Sequence, residues 1–131
     1  MIFVDTGGWF ARVVPTNRHH SAAVEWSRSN RERWLTTDYV VSETLTLLRI
    51  RGERERALVM GAEFFESGQV DIYYLTEHDI TQAWLVFRRF SDKGWNFTDC
   101  TSKVVIEKLG IDRAFAFDHH FHQFGSVTVV P

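Results

Sequence analysis

The stretch Asp99-Cys100-Thr101-Ser102-Lys103-Val104-Val105-Ile106-Glu107-Lys108-Leu109-Gly110-Ile111-Asp112-Arg113-Ala114-Phe115-Ala116-Phe117-Asp118 carries the reading of the fold. It divides at Gly110. Before the glycine, Thr98 or Asp99 opens a helical run that ends at Leu109-Gly110, where a glycine commonly stops a helix. After it, Ala114-Phe115-Ala116-Phe117 is a short apolar run of strand type, closed directly by Asp118. A helix, a glycine, a strand and an acid follow one another within twenty residues.

The same alternation extends in both directions. Ile2-Phe3-Val4, Val70-Asp71-Ile72-Tyr73-Tyr74 and Val127-Thr128-Val129-Val130 are short strand-like runs, and Trp34-Leu35-Thr36 is a weaker fifth. Helical spacing fills the intervals. His20 to Arg31 carries Ala23, Val24 and Trp26. Thr37 or Asp38 caps a run that reaches Arg51 and stops at Gly52. Glu53 to Ser67 repeats Ala57, Leu58, Met60, Gly61, Phe64 and Phe65, and Glu77 to Phe90 places Ile80, Ala83, Trp84 and Phe87 on one face. Strands alternating with helices predict an α/β sandwich with a mainly parallel sheet. No repeat or linker interrupts residues 1–131, which read as one domain.

Of the 131 residues, 44% are hydrophobic, too apolar a mixture for a disordered chain. No apolar run approaches the roughly 20 residues of a membrane span. Met1-Ile2-Phe3-Val4-Asp5 lacks the basic region of a signal peptide. Cys100 is the single cysteine, so no intramolecular disulfide forms and a reducing cytoplasm is the expected compartment. Against 17 acids stand 15 bases, a net charge of −2, which at first sight disfavours a phosphate-rich partner.

Four acids stand out. Asp5 and Asp118 follow strands, and ligands of open α/β sheets bind outside the carboxyl ends of the strands; an Asp there also suits a plain turn or cap. Glu43 shares a helical stripe with Val40, Leu47 and Ile50, where a carboxylate is costly unless paired, with Arg49 or water as the bland partner. Asp99 opens a helix whose free N–H groups favour an anion, and simple capping accounts for it equally well. Ser102 lies on the same face one turn on. If the four converge, two carboxylates about 4 Å apart repel by roughly 4 kcal/mol at an effective dielectric near 20, so such a cluster requires raised pKa values or a cation. Oxygen-only ligands suit Mg²⁺ or Mn²⁺, and the matching chemistry is metal-assisted phosphoryl hydrolysis.

Val4-Asp5-Thr6, Ser42-Glu43-Thr44-Leu45, Phe97-Thr98-Asp99-Cys100-Thr101-Ser102 and Phe115-Ala116-Phe117-Asp118, in that order over nearly the whole chain, resemble PIN-domain ribonucleases, and more narrowly the VapC toxins of prokaryotic type II toxin–antitoxin pairs. The resemblance implies a three-layer α/β/α sandwich around a five-stranded parallel sheet, and a Mg²⁺- or Mn²⁺-dependent endoribonuclease. It implies that Asp5, Glu43 and Asp99 are the central catalytic and metal-binding acids, with Asp118 as the fourth, and that Thr6 and Ser102 supply supporting hydroxyls. It further implies an RNA substrate such as a tRNA or rRNA loop, a small antitoxin whose segment lies over the acidic cleft, and a homodimer. Two positions depart from the pattern. Gly7 follows Thr6 where relatives often carry a small polar residue, and Lys103 stands where similar sequences are often apolar.

Other signals weigh less. His19-His20 and His119-His120-Phe121-His122 lack recognisable zinc spacing and read as loop histidines, with His119 or His120 available to RNA. Arg49, Arg51, Arg54 and Arg56 alternate with Glu53 and Glu55 and read as a solvated helical corner. Arg88, Arg89 and Lys93 are better placed for phosphate because their loop leads to Asp99, and Lys103 is a further substrate-binding candidate. Trp9, Phe10 and Trp84 read as core or partner-facing. Cys100 has no paired histidine to make it a nucleophile.

Three functions compete: a metal-dependent toxin nuclease, a non-catalytic PIN-like module that binds RNA or protein, and a phosphotransfer or receiver-like α/β domain. The last is disfavoured because Gly7 stands where a second aspartate would be needed. Without Asp5, Glu43, Asp99 and Asp118 the balance turns to +2, with 15 bases against 13 acids. If those four hold divalent cations, the net charge no longer opposes RNA.

Overall fold

The computed structural model describes residues 1–131. Strands β1 (Ile2–Val4), β2 (Trp34–Thr37), β3 (Val70–Tyr73), β4 (Arg113–Phe115) and β5 (Thr128–Val130) form one sheet in the order β3-β2-β1-β4-β5. Every neighbouring pair is parallel. Parallel strands need crossovers, and seven helices supply them: α1 (Thr6–Val13), α2 (His20–Ser29), α3 (Asp38–Ile50), α4 (Arg54–Glu66), α5 (Glu77–Arg89), α6 (Phe97–Leu109) and α7 (His120–Gln123). This is the expected α/β sandwich, with the weakest strand signal, Trp34-Leu35-Thr36, forming β2 beside the central strand. No helix is long and apolar enough to cross a membrane.

The sheet order places the site. β1 sits in the middle with Ile2, Phe3 and Val4 wholly buried, as a strand covered on both faces requires. The chain leaves β1 toward β2 on one side and returns to β4 on the other. The crevice at the carboxyl ends of β1 and β4 is therefore the topological switch point, the usual ligand site of open α/β sheets.

Four elements differ from expectation, and one is α7, a short helix over His120–Gln123 where the histidine cluster reads as loop; Phe121, fully buried, pins it to the core. α1 carries no clear signal, since Gly7-Gly8 in its first turn are poor helix formers. Yet Asp5 caps it by accepting the Gly8 N–H at 2.7 Å. Gly8 is required by proximity: a Cβ there would lie 2.6 Å from the Phe115 carbonyl oxygen and 3.0 Å from Val4 Cγ1. β4 ends at Phe115 rather than Phe117, because Phe115 is the last residue in register with β5, opposite Val130. Asp118 thus stands three residues beyond the strand. α6 starts at Phe97 with Asn96 as its cap, in a reciprocal box in which each of Asn96 and Asp99 accepts the other's backbone N–H.

Aromatic packing fills the core. Trp9, fully buried, meets Phe64 edge-on at 5.1 Å, and its indole N–H donates to Thr36 Oγ1. Thr36 in turn donates to the Val4 carbonyl, so every polar atom of this cluster is satisfied. Phe10 is also core, whereas Trp84 on α5 is 49% exposed.

A second buried network ties β3, α5 and α6 together. Asp79, 1% exposed, accepts from the Tyr73 hydroxyl (2.6 Å), the Thr76 amide (3.0 Å) and Lys108 Nζ (2.9 Å). Burial works against the ionised form, but these donors outweigh it and hold the carboxyl well below the usual carboxylate range. A carboxylate depressed on folding contributes stability that is present above its unfolded pKa of about 3.9 and is lost as the pH falls below it. Asp79→Asn is expected to cost about 2 kcal/mol at pH 7, in line with hydrogen bonds to a charged group. In urea titrations the gap to wild type should narrow at pH 3; an equal cost at both pH values would show that charge plays no part.

Candidate active site

Asp5 enters the switch-point crevice from the end of β1, Glu43 from α3, Asp99 from the first turn of α6, and Asp118 from the segment after β4. All four line one cavity of about 260 Å³, together with Thr6, Gly7, Phe10, Asn17, Val40, Leu47, Arg51, Asn96, Thr98 and Ser102. The stripe that carries Glu43 runs from the core out to this rim: Val40 is fully buried, Val40 and Leu47 both line the cavity, and Ile50 at its end is 72% exposed.

Each acid has one oxygen held by the protein and one without a protein partner. Asp5 Oδ1 accepts the Gly8 N–H at 2.7 Å. Glu43 Oε1 accepts the Thr6 hydroxyl at 2.6 Å, which is where its partner lies, not at Arg49. Asp99 Oδ2 accepts the Asn96 N–H at 3.1 Å and His120 Nδ1 at 2.9 Å. Asp118 Oδ1 accepts the His120 backbone N–H at 2.9 Å. No lysine or arginine forms an ion pair with any of the four; His119 and His120 are the only basic side chains in contact with them.

The electrostatic consequence is strain at Asp5. Burial pushes its carboxyl up to about 8, against the Gly8 N–H, and repulsion from Asp99, Asp118 and Glu43 adds to the rise. Asp99 is raised as well, chiefly by burial, although Asn96 and His120 oppose the shift. Anchored carboxylates with free outer oxygens and no lysine or arginine partner are hard-oxygen donors of the kind that suits a small divalent cation, and Asp118, His119 and His120 bring their ligand atoms within 4.8 Å of one another.

The sequence profile of the PIN domain matches residues 2–127. The chain belongs to the PIN-domain family. Within it, this PIN domain is 36% identical over 131 residues to the "23S rRNA-specific endonuclease VapC20" of Mycobacterium tuberculosis, covering 100% of this chain and 99% of that protein. It is 30% identical to a "VapC ribonuclease" of Archaeoglobus fulgidus over 128 residues, 90% of this chain and 77% of the relative. The crystal structure of M. tuberculosis VapC20, described as a "Sarcin-Ricin loop cleaving toxin", superposes with a TM-score of 0.92 at 32% identity over the full length of both chains. FitAcB of Neisseria gonorrhoeae shares the fold, with a TM-score of 0.69 at 15% identity over 100% of this chain and 97% of that one.

The PIN domain brings six of the expected residues together, Asp5, Thr6, Glu43, Asp99, Ser102 and Asp118. The two lysines expected near substrate do not line the cavity. Lys103, its side chain only 12% exposed, turns along α6 to Glu107 and over the Phe90 ring. Lys93 lies in the turn Ser91–Lys93 beside Asp92. Cys100 is buried, and burial together with Asp99 pushes its thiol up to about 11, so it stays protonated and unreactive at neutral pH. Gly7 leaves the rim open: a Cβ there would make only ordinary contact with the Asp5 oxygens, at 3.7 and 3.8 Å.

His120 is the residue that sequence reasoning undervalued. Its ring is 18% exposed and reaches Asp99 from α7. Since a carboxylate only accepts, Nδ1 carries the proton in this contact. Its backbone N–H holds Asp118, so one residue touches two of the four acids. The available signal was the spacing Asp118-His119-His120, two residues beyond an acid already suspected.

Proposed function

We propose that this VapC-type PIN domain is a divalent-metal-dependent endoribonuclease that hydrolyses RNA phosphodiester bonds as the toxin of a toxin–antitoxin pair, residues 1–131 acting as one nuclease domain. The observation that carries the proposal is the set of four carboxylates on one cavity, each anchored through one oxygen and free at the other.

Asp5, Glu43 and Asp99 would hold Mg²⁺ or Mn²⁺, with Asp118 as the fourth carboxylate; when bound, such an ion orients and acidifies a water and offsets charge developing on the attacked phosphate. The protein supplies the anchoring. Thr6 holds Glu43, the α1 amide of Gly8 holds Asp5, and Asn96 with His120 holds Asp99, which limits what each acid can do other than present its free oxygen to the cavity. A non-catalytic binding module would have to tolerate the same uncompensated acids with no return in function.

By its likeness to VapC20, the favoured substrate is the sarcin–ricin loop of 23S rRNA, and a substrate on the ribosome implies action in the cytoplasm. A small antitoxin is the expected protein partner. An apolar groove of about 650 Å³ between α3 and α4, lined by Leu45, Ile50, Leu58 and Phe65, gives such a partner a surface to bury, and exposed Trp84 and Phe87 on α5 favour self-association.

The test is incubation of the purified protein with a synthetic sarcin–ricin hairpin and with total rRNA, in Mg²⁺, in Mn²⁺ and in excess chelator, with RNA ends mapped. Cleavage within a loop is expected with either ion and should vanish in chelator. Intact RNA in both ions, or equal cleavage in chelator, would overturn the proposal.

A further inference from the structure

We propose that Arg51 binds an RNA phosphodiester adjacent to the one that is cut, so that the acidic cavity continues into a backbone-binding subsite. The inference rests on the nuclease reading above and deepens it.

Arg51 caps the C-terminal end of α3. It is the only lysine or arginine lining the acidic cavity. It also lines a second cavity of about 270 Å³, with Phe10, Val14, Thr16, Asn17 and Glu53. The two cavities share Phe10, Asn17 and Arg51, so they adjoin at these residues.

The guanidinium is held yet uncommitted. Its carbon lies 5.1 Å from the Phe10 ring centroid, a cation–π contact that holds the group without using its N–H donors. Arg12, Arg33, Arg56 and Arg113 each form an ion pair with an acid, and Arg51 does not. Glu53, the one acid in the second cavity, is paired with Arg56. Beside Arg51, Asn17 accepts the His19 N–H through its side-chain oxygen, which leaves its amide N–H groups free to donate.

The chemistry selects a phosphodiester. A guanidinium presents a planar fork of donors that matches two phosphate oxygens. RNA approaching four carboxylates meets repulsion unless the neighbouring backbone finds a cation, and Lys93 and Lys103 are turned elsewhere. Arg51 with Asn17 supplies that cation and additional donors at the mouth of the cavity.

The test compares wild type with Arg51→Ala, Arg51→Lys and, as a control away from both cavities, Arg54→Ala. Cleavage of the sarcin–ricin hairpin is followed in Mn²⁺ between 50 and 200 mM salt. Arg51→Ala is expected to raise KM about tenfold, and to reduce the slope of log(kcat/KM) against log[salt] by about 1, the signature of one lost phosphate contact. Its kcat, and its Mn²⁺ affinity measured without RNA, should match wild type. Arg51→Lys should restore the slope and only part of KM. Should Arg51→Ala unfold for want of the Phe10 contact, Arg51→Gln keeps the stem and reads the same slope. An unchanged KM and slope in a variant of an active wild type overturn this inference alone. A wild type that cuts neither hairpin nor rRNA overturns the nuclease reading and this inference with it. Loss of Mn²⁺ affinity would place Arg51 in the metal site and also overturn the subsite.

Discussion

Asp5→Asn is expected to abolish RNA cleavage, by a factor of about 10³ or more, while making the metal-free protein more stable at pH 8. The loss follows from the proposed role. An amide carries no charge to hold a cation, and the several kcal/mol of transition-state stabilisation such an ion provides correspond to roughly three or more decades in rate. The gain in stability follows from burial. Asp5 is 7% exposed and its carboxyl is pushed up to about 8, first by desolvation and then by Asp99, Asp118 and Glu43. Between its unfolded pKa near 4 and that raised value, the folded protein binds a proton that the unfolded chain does not. Stability of the metal-free protein must therefore fall as the pH rises through this window. Asparagine removes the charge but can still cap α1 through its side-chain oxygen. A gain of about 2 kcal/mol, or roughly 5–10 °C in Tm, is expected for the variant in chelator at pH 8, shrinking to nothing near pH 4. An Asn variant less stable than wild type at pH 8 would mean that Asp5 is a structural cap and no more.

The gap between what the sequence shows and what the fold does has a physical pattern at this site. The parallel α/β frame and the identity of the four acids are legible because strand and helix signals are local, and because an acid after a strand or within an apolar stripe conflicts with its surroundings. Features that depend on contacts between distant segments are hidden. α1 gives no helical signal because Gly7-Gly8 lower its local propensity, and the reason for Gly8 is the carbonyl of Phe115, more than a hundred residues away. In sequence, Lys93 stands in the loop that leads to Asp99 and Lys103 stands next to Ser102. Side-chain direction decides otherwise: Lys103 follows α6 to Glu107, whereas Arg51, at the end of another helix, arrives at the cavity. Ile50 looked like core because it continues the Val40–Glu43–Leu47 stripe, but the stripe faces a rim that opens to solvent toward the end of α3.

His120 presents the same kind of long-range contact, and its removal carries the second large effect expected. His120→Ala should lower kcat/KM by about 10- to 100-fold and weaken Mn²⁺ binding by a comparable factor, the range found when a residue behind a metal ligand is lost. The ring holds Asp99 Oδ2 at 2.9 Å across 21 residues of sequence. Without it, Asp99 keeps the Asn96 N–H but gains a rotational freedom that the proposed site cannot use. The ring also lies 3.4 Å from Asp118 Oδ1, but the hydrogen bond to Asp118 comes from the backbone N–H of His120, which alanine keeps, so the loss should stop well short of that in Asp5→Asn. His120→Asn offers an N–H donor near the position of Nδ1 and is expected to recover part of both the activity and the Mn²⁺ affinity. A residue that merely packed α7 would show neither the loss of metal affinity nor the partial rescue. A residue that touched RNA would instead move KM and its salt dependence, as expected for Arg51. Wild-type Mn²⁺ affinity and kcat in His120→Ala would remove His120 from the site and leave Asp99 positioned by Asn96 alone.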